Sequence, residues 1–541
     1  MSTPLIGSRR AILKASVAVI AVAAGGGVLA ACDNSQPSEP AAVMPEANPV
    51  VATKYGKVKG YIEDGITVFK GVRYGADTAT TRFQAPRAPE PWTDEKDCMG
   101  YAASAPQPVS GDGGGLFASW RPVPPLPTSE DCLFLNVWTP AADDKKRTVM
   151  VWFHGGGWST GSGSSDAYDG VRLAKRGDVV IVTINHRLNV FGYLNLAGYG
   201  EQFADSGVAG VLDMVQSLEW VRDNIAAFGG DPGKVLIFGE SGGGLKTCSL
   251  MATDKAKGLF HRSVAQSGPG IKLAEPDASA KGADELVKKL GLTKETIGEI
   301  LAKPVADIQA AAEGIAGVGS PVKDGKTFTR HMFDPDAPPM SADVPLLIGC
   351  NRTEGTSLTR ADDPNFNLTW ETLPAAIKQS FPGKDPKKII DLYKKDNPQI
   401  EAPELYFMAN ADNRFMRGSV TVADRKAAQA AAGGAPVFFY HLDWTTPVLD
   451  GKRYVPHALD IGMIFDNVAK SASMSGTSTE AQAIADQMSE SWLAFAKTGD
   501  PSNAKVPAWP AYTEAQRNMM VFRTQPGVEV DIRAAERAAT A

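Results

Sequence analysis

The sequence predicts an α/β protein: a central, mostly parallel, twisted sheet flanked by helices, with helical insertions between its later strands. Three observations predict it. Short apolar runs recur at residues 133–139, 149–153, 179–185, 235–238, 344–349 and 437–442, and unbroken runs of this kind read as strands buried on both faces. Helix-patterned stretches alternate with them, as crossover connections between parallel strands require. One strand, residues 235–238, leads directly into Gly239-Glu240-Ser241-Gly242-Gly243 and then a helix-competent stretch at 245–251. A serine in that setting sits on a strained strand-to-helix elbow at the top of a sheet.

The first residues read as an address and not as fold. Ser8-Arg9-Arg10 precedes an Ala/Val/Gly-rich run that ends at Ala31, which is the charged start and modest apolar core of a signal peptide. The paired arginines resemble a twin-arginine export signal. Leu29-Ala30-Ala31-Cys32 resembles a bacterial lipoprotein processing box, which would leave Cys32 as a lipidated N-terminus. The expected organisation is therefore a signal at 1–31, a tether at 32–50 carrying Pro37, Pro40, Pro45 and Pro49, and a catalytic domain at 51–541. Such a protein is exported to the periplasm or cell envelope and held on a membrane by its lipid.

Within the domain, residues 58–61 and 66–69 read as short strands of an opening meander. Residues 75–128 are rich in proline and glycine and read as loop. Residues 208–228 form an amphipathic helix closed by Gly229-Gly230. Ser263 to Gln266 is a further strand candidate. The blocks at 272–343 and 356–432 are largely helical and suit insertions that cap one end of the sheet, and 480–497 is a long helix. At 541 residues the chain could hold two or three average domains, but single α/β enzymes with insertions also reach this size. A net charge of −6, with no basic run longer than Lys145-Lys146-Arg147, argues against nucleic acid as partner. No apolar run in the body is long enough to span a bilayer.

A second G-x-S-x-G match, Gly157-Trp158-Ser159-Thr160-Gly161, also follows a strand, but the Ser- and Gly-rich residues after it cannot easily be helical. Ser159 is read as a loop serine and Ser241 as the nucleophile. A serine hydroxyl needs a base, usually histidine, and the chain has six. After an elbow the order is serine, acid, histidine. That order leaves His441, inside a strand, and His457, after a turn-rich stretch that can carry it over the serine. The acid should follow a strand between them, and Glu354 follows residues 344–349 after a short loop. Asp362 and Asp363 lie farther into the loop, and Asp443 beyond the last strand remains a milder exception to the order. His154-Gly155-Gly156-Gly157 follows a strand and can converge backbone N–H groups on an oxyanion.

With these residues in place, the chain resembles the type-B carboxylesterases, the α/β-hydrolase family that includes the cholinesterases. The resemblance rests on Glu130-Asp131-Cys132-Leu133-Phe134-Leu135-Asn136-Val137, the loop glycines, Asn185-His186-Arg187-Leu188 and Asn224-Ile225-Ala226-Ala227-Phe228-Gly229-Gly230-Asp231-Pro232. The elbow, Gln266-Ser267-Gly268 and Gly499-Asp500-Pro501 extend it. It implies an α/β-hydrolase fold and a serine ester hydrolase working without cofactor or metal. Ser241 would be nucleophile, His457 base and Glu354 acid. Gly156, Gly157 and Gly242 would supply oxyanion N–H groups, with Glu240 and Ser267 beside the triad. It also implies a Cys98–Cys132 disulfide, a staple that an oxidising compartment permits; Cys248 and Cys350 read as buried free thiols. The same triad could cleave an amide, carbamate or lactone, and a relative without activity could serve as a binding module.

Three features depart from the family. Gly242 replaces the usual alanine, Ala458 stands where glycine commonly follows the histidine, and Met214 follows Asp213 where glutamine is common. Lys246 is also odd on a helix that the family buries. It reads as a lysine snorkelling to the surface, or as one that reaches the pocket and selects acidic substrates. Candidate pocket walls are residues 111–121 with Phe117 and Trp120, then Trp158, Phe407 and Phe415. Aromatic walls suit a bulky or aromatic ester.

Overall fold

The computed structural model describes residues 48–108, 115–122 and 125–541. The signal, Cys32 and most of the tether lie outside the described residues, as do positions 111–114 of the proposed pocket wall.

Eleven strands form one sheet. In chain order its members are β3 (Tyr61–Glu63), β4 (Ile66–Arg73), β6 (Phe134–Thr139), β7 (Arg147–Phe153), β8 (Val180–Ile184), β9 (Gly230–Glu240), β10 (Arg262–Gln266), β11 (Leu346–Asn351), β12 (Val437–Leu442), β13 (Asn518–Phe522) and β14 (Gly527–Val530). The remaining strands, β1 (Val50–Ala52), β2 (Lys57–Lys59) and β5 (Lys96–Asp97), make a small separate sheet. Across the large sheet the order is β14-β13-β12-β11-β10-β9-β7-β8-β6-β4-β3. Pairing is parallel from β8 through β7, β9, β10, β11 and β12 to β13, and antiparallel at both flanks. This is the α/β-hydrolase architecture.

Strands β7, β8, β11 and β12 are buried along their whole length, which is why they read as apolar runs without alternation. Two core clusters fill the two faces. One contains Val149, Val151, Val235 and Ile237; the other holds Met150, Trp152, Leu236 and Phe238. Neighbouring residues of β7 and β9 thus fall in opposite clusters, as a period of two demands. The helix Ala209–Asn224 packs on the first face, and Thr479–Thr498, through Trp492 and Phe495, on the second. Arg187, read above only as a family motif, is fully buried and makes a two-pronged ion pair with Asp213 on the helix Ala209–Asn224 at 2.6 and 2.8 Å.

Two smaller clusters lie under the inserted helices. One gathers Phe191 and Leu194 with Leu286, Ile297 and Ile308; the other gathers Leu373, Ile377, Tyr393 and Leu405. Residues 313–338 contain no helix or strand, so the first insertion is less helical than its polar composition suggests. Strands β13 and β14 and the final helix Ala534–Thr540 add structure beyond the last helix read from the sequence.

The expected disulfide is absent. Cys98 and Cys132 are free and buried, as are Cys248 and Cys350. Cys98 sits just after β5 of the small sheet and Cys132 just before β6 of the large one. Both pack into the first core cluster as small apolar side chains. Burial pushes the Cys98 thiol up to about 12, so neither the environment nor the pairing favours thiolate chemistry there. Among the described residues no helix is long and apolar enough to cross a membrane.

Candidate active site

Ser241 sits between the end of β9 and the helix Gly242–Met251, with φ 57° and ψ −120°. A non-glycine residue holds such a conformation only when its surroundings dictate it. Here they do: the Ser241 N–H donates to Gln266 O on β10 at 2.8 Å, and the Ser241 carbonyl accepts from Leu245 N at 3.2 Å. The turn lifts the side chain off the sheet and points the first turn of the helix, with its unpaired N–H groups, at the same space. Ser159, by contrast, lies in a turn with no helix after it.

The glycine loop lies alongside. Gly156 and Gly157 adopt φ 86° and 62°, in the left-handed region that glycine tolerates. Among the described residues, no protein acceptor takes the N–H of Gly156, Gly157 or Gly242. The loop is fastened from outside. Gly161 N donates to Gln107 Oε1 at 2.7 Å, Gln107 Nε2 returns to Gly161 O at 2.9 Å, and Asn189 N donates to Trp158 O at 2.8 Å. Neither Gln107 nor Asn189 was marked by any motif.

His457 and Glu354 are 103 residues apart in sequence and in direct contact through Nδ1 and Oε2. The loops after β11 and β12 are stitched together around them. Glu354 Oε1 accepts from Asn351 N at 2.7 Å, and Asn351 Nδ2 donates to Pro456 O at 2.8 Å. His457 N donates to Glu354 O at 3.2 Å, Val455 N to Thr353 Oγ1 at 2.8 Å, and Ser357 Oγ to His457 O at 2.9 Å. Imidazole and carboxylate are thus set by backbone geometry rather than by a lone pair contact. On its other side, His457 Nε2 lies 3.0 Å from Glu240 Oε1, and no hydrogen bond joins it to Ser241 Oγ. Such bonds are often loose before substrate binds.

The remaining sequence candidates have structural partners. His441 lies in β12, with Nδ1 3.0 Å from Cys350 O. Asp362 pairs on the surface with Arg360, and Asp443 with Arg352 at 2.8 Å. His261 Nδ1 accepts from Val235 N, and His331 lies 3.0 Å from Glu275. Ser267 follows β10 with φ 48°, its N–H on Gly349 O at 2.8 Å.

Three buried acids surround one imidazole. Burial raises Glu240 to about 8 and also raises Asp460, which accepts from Gln266 Nε2 at 2.8 Å and Tyr440 OH at 2.9 Å. Burial alone would make His457 harder to protonate; the Glu240 and Glu354 carboxylates outweigh it and raise the imidazole to about 9. Phe415 covers the ring, with centroids 5.2 Å apart. It stands on the one-turn π-helix Asp412–Met416, a local widening common at functional sites. Asp412 anchors that turn, accepting from Tyr393 OH and from Arg533 Nε and Nη2, each at 2.7 Å. No pattern in the sequence signals this support from the far C-terminus. Phe407 packs on Phe366 beside the loop of Glu354, and Trp158 packs edge-on against Tyr193. Phe117 and Trp120 pack on each other at 5.0 Å. Among the described residues no group of three or more His, Cys, Asp or Glu could hold a metal ion.

Known proteins resemble this chain along nearly its whole length. The sequence profile of the carboxylesterase family matches residues 47–539. The para-nitrobenzyl esterase of Bacillus subtilis (strain 168) is 34% identical over 494 residues, covering 89% of this chain and 96% of that protein. The solved carboxylesterase of Geobacillus stearothermophilus is 36% identical with a TM-score of 0.76, covering 91% of this chain and all (100%) of that one. An esterase from Clostridium hathewayi, described as able to hydrolyse aliphatic aromatic polyesters, is 31% identical with a TM-score of 0.80, covering 92% of this chain and 98% of that one. A match of this extent, over a chain whose sheet carries a serine elbow, an open glycine loop and a histidine–glutamate contact, makes this protein a member of the carboxylesterase family and an ester hydrolase.

Proposed function

We propose that Ser241, His457 and Glu354 act as nucleophile, general base and orienting acid in the hydrolysis of bulky or aromatic carboxylic esters. The observation that carries the reading is the His457–Glu354 contact at the lip of the Ser241 elbow. Ser241 Oγ attacks the ester carbonyl as His457 takes its proton. The N–H groups of Gly156, Gly157 and Gly242 receive the oxyanion, and the tetrahedral intermediate collapses to an acyl-enzyme as His457 returns the proton to the departing alcohol. Water then attacks, with His457 again as base. Glu354 fixes the imidazole tautomer and stabilises its charged form. Glu240 and Ser267 adjoin the triad without entering the reaction. Phe415 over the imidazole and Trp158 beside the glycine loop favour an aromatic ester. The names of the Bacillus and Clostridium relatives point the same way.

The test is a panel of esters varied in acyl length, aromaticity and charge, with matched amides, carbamates and lactones, offered to wild type and Ser241→Ala. The reading expects the highest kcat/KM on aromatic esters and a loss of at least about 10³-fold in the variant. Turnover that survives in a folded Ser241→Ala, or a preference for another bond, would refute it.

Glu240 makes a second, independent prediction. Its carboxylate raises the pKa of His457, and only the neutral imidazole can serve as base. Glu240→Gln should therefore lower that pKa and move the acid limb of the kcat/KM profile to lower pH by about 1 unit or more. A limb that stays in place or moves up would contradict the proposed coupling.

Residues 1–31 and Cys32 support a further reading: export with a twin-arginine signal, then lipidation of Cys32 and retention on the cell envelope. Growth with radiolabelled palmitate should label the wild type and leave Cys32→Ala unlabelled and released from membranes. Equal label, or equal membrane retention, in the variant would rule the anchor out.

A further inference from the structure

The helix behind Ser241 carries a lysine that neither snorkels nor enters the pocket. Lys246 is completely buried, at 0% exposure. Its Nζ donates to the backbone oxygen of His154 at 2.7 Å. It forms no salt bridge among the described residues, and burial lowers its ammonium to about 7. A lone buried lysine is costly, and nothing in the fold of the sheet itself requires it. His154 is the first residue of the glycine loop. Its ring Nδ1 lies 2.9 Å from Gly155 O, and the ring stacks on His186 with centroids 5.0 Å apart and an interplanar angle of 12°. Both rings are buried and held neutral, first by burial and then by the neighbouring lysine.

One turn before Lys246, on the same face of the helix, is Gly242. A Cβ there would overlap the backbone N, Cα and O of Gly157. The loop therefore touches the helix at two points: Gly157 lies on the bare backbone of Gly242, and His154 is tied to Lys246. Both positions depart from what the family resemblance leads one to expect. They are four residues apart and face the same loop.

We infer that Gly242 and Lys246 form a two-point seat that sets the height of the glycine loop over Ser241, with Lys246 a positioning residue for the N–H groups of Gly156 and Gly157. The inference rests on the proposed oxyanion role of those groups. The ammonium holds the loop down at its start, and the missing Cβ lets its middle approach. Removing either contact displaces donors that matter most when charge develops on the substrate oxygen. The damage should fall on kcat and spare KM.

The test is a double-mutant cycle with Lys246→Met, which keeps side-chain length and removes the donor, and Gly242→Ala, which inserts the Cβ. Each single variant should lower kcat about 10-fold or more with KM within about twofold, and should weaken inhibition by a boronate that mimics the tetrahedral anion. The pair should be less damaging than the product of the singles, because a loop freed from Lys246 can make room for the Cβ. A kcat within about twofold of wild type, a loss carried by KM, or strictly multiplicative effects would overturn the seat. Should Lys246→Met not fold, Lys246→Gln takes its place in the cycle and is read by the same kcat–KM split. Failure of the serine mechanism would show earlier, as wild-type turnover that persists in Ser241→Ala.

Discussion

A single residue forced into an unfavourable backbone conformation organises this molecule. Ser241, at φ 57° and ψ −120°, can hold that turn only between a rigid strand and a rigid helix. Strand β9 supplies one, locked in parallel pairing to β7 and β10 at the middle of the sheet. The helix Gly242–Met251, packed against β9 and β10, supplies the other. The surrounding seven-strand parallel core makes the turn affordable, and the loops after β7, β11 and β12 then open at the same edge. That is where ligands bind in open α/β sheets.

Electrostatics explain why so much hydrogen bonding surrounds one histidine. Glu240, Glu354 and Asp460 are buried within the same few residues' reach of His457. Burying acids without partners would be strongly unfavourable. Gln266 and Tyr440 both donate to one oxygen of Asp460 while its other oxygen is buried without a hydrogen-bond partner among the described residues, Asn351 N donates to Glu354, and the imidazole faces both glutamates. The result is an imidazole that gains a proton readily, which suits a group that must become charged as the tetrahedral intermediate forms. Phe415, on its π-turn braced by Arg533, closes the ring off from water on one side.

What the sequence disclosed follows from what each signal depends on. Strands such as β7, β9 and β11 are buried on both faces, so their apolar runs betray them without any partner in view. The elbow and the glycine loop are local backbone problems with local solutions, and their glycines mark them. Chain order narrows the acid and base to a few candidates, the family resemblance singles out Glu354 and His457, and the structure brings the two into contact. Other features depend on packing at long range and leave no local trace. Arg533 braces a turn 121 residues away. Lys246 looks like a surface residue until the helix is seen to be buried at every residue but Leu245. The family resemblance implied a Cys98–Cys132 disulfide, yet both cysteines are free and pack as small apolar groups in the core. The short, methionine-rich β13 lies past the last clear helix and carries little strand signal of its own.

The central claim is that ester hydrolysis passes through a covalent intermediate on Ser241. Rapid quenching of the enzyme with a slowly deacylating aromatic ester, followed by mass spectrometry of the proteolytic peptides, tests it most directly. The account predicts one acyl group per chain, carried by Ser241 and formed faster than steady-state turnover. An acyl group on Ser159 or another residue, or turnover with no acyl-enzyme at any time, would contradict it.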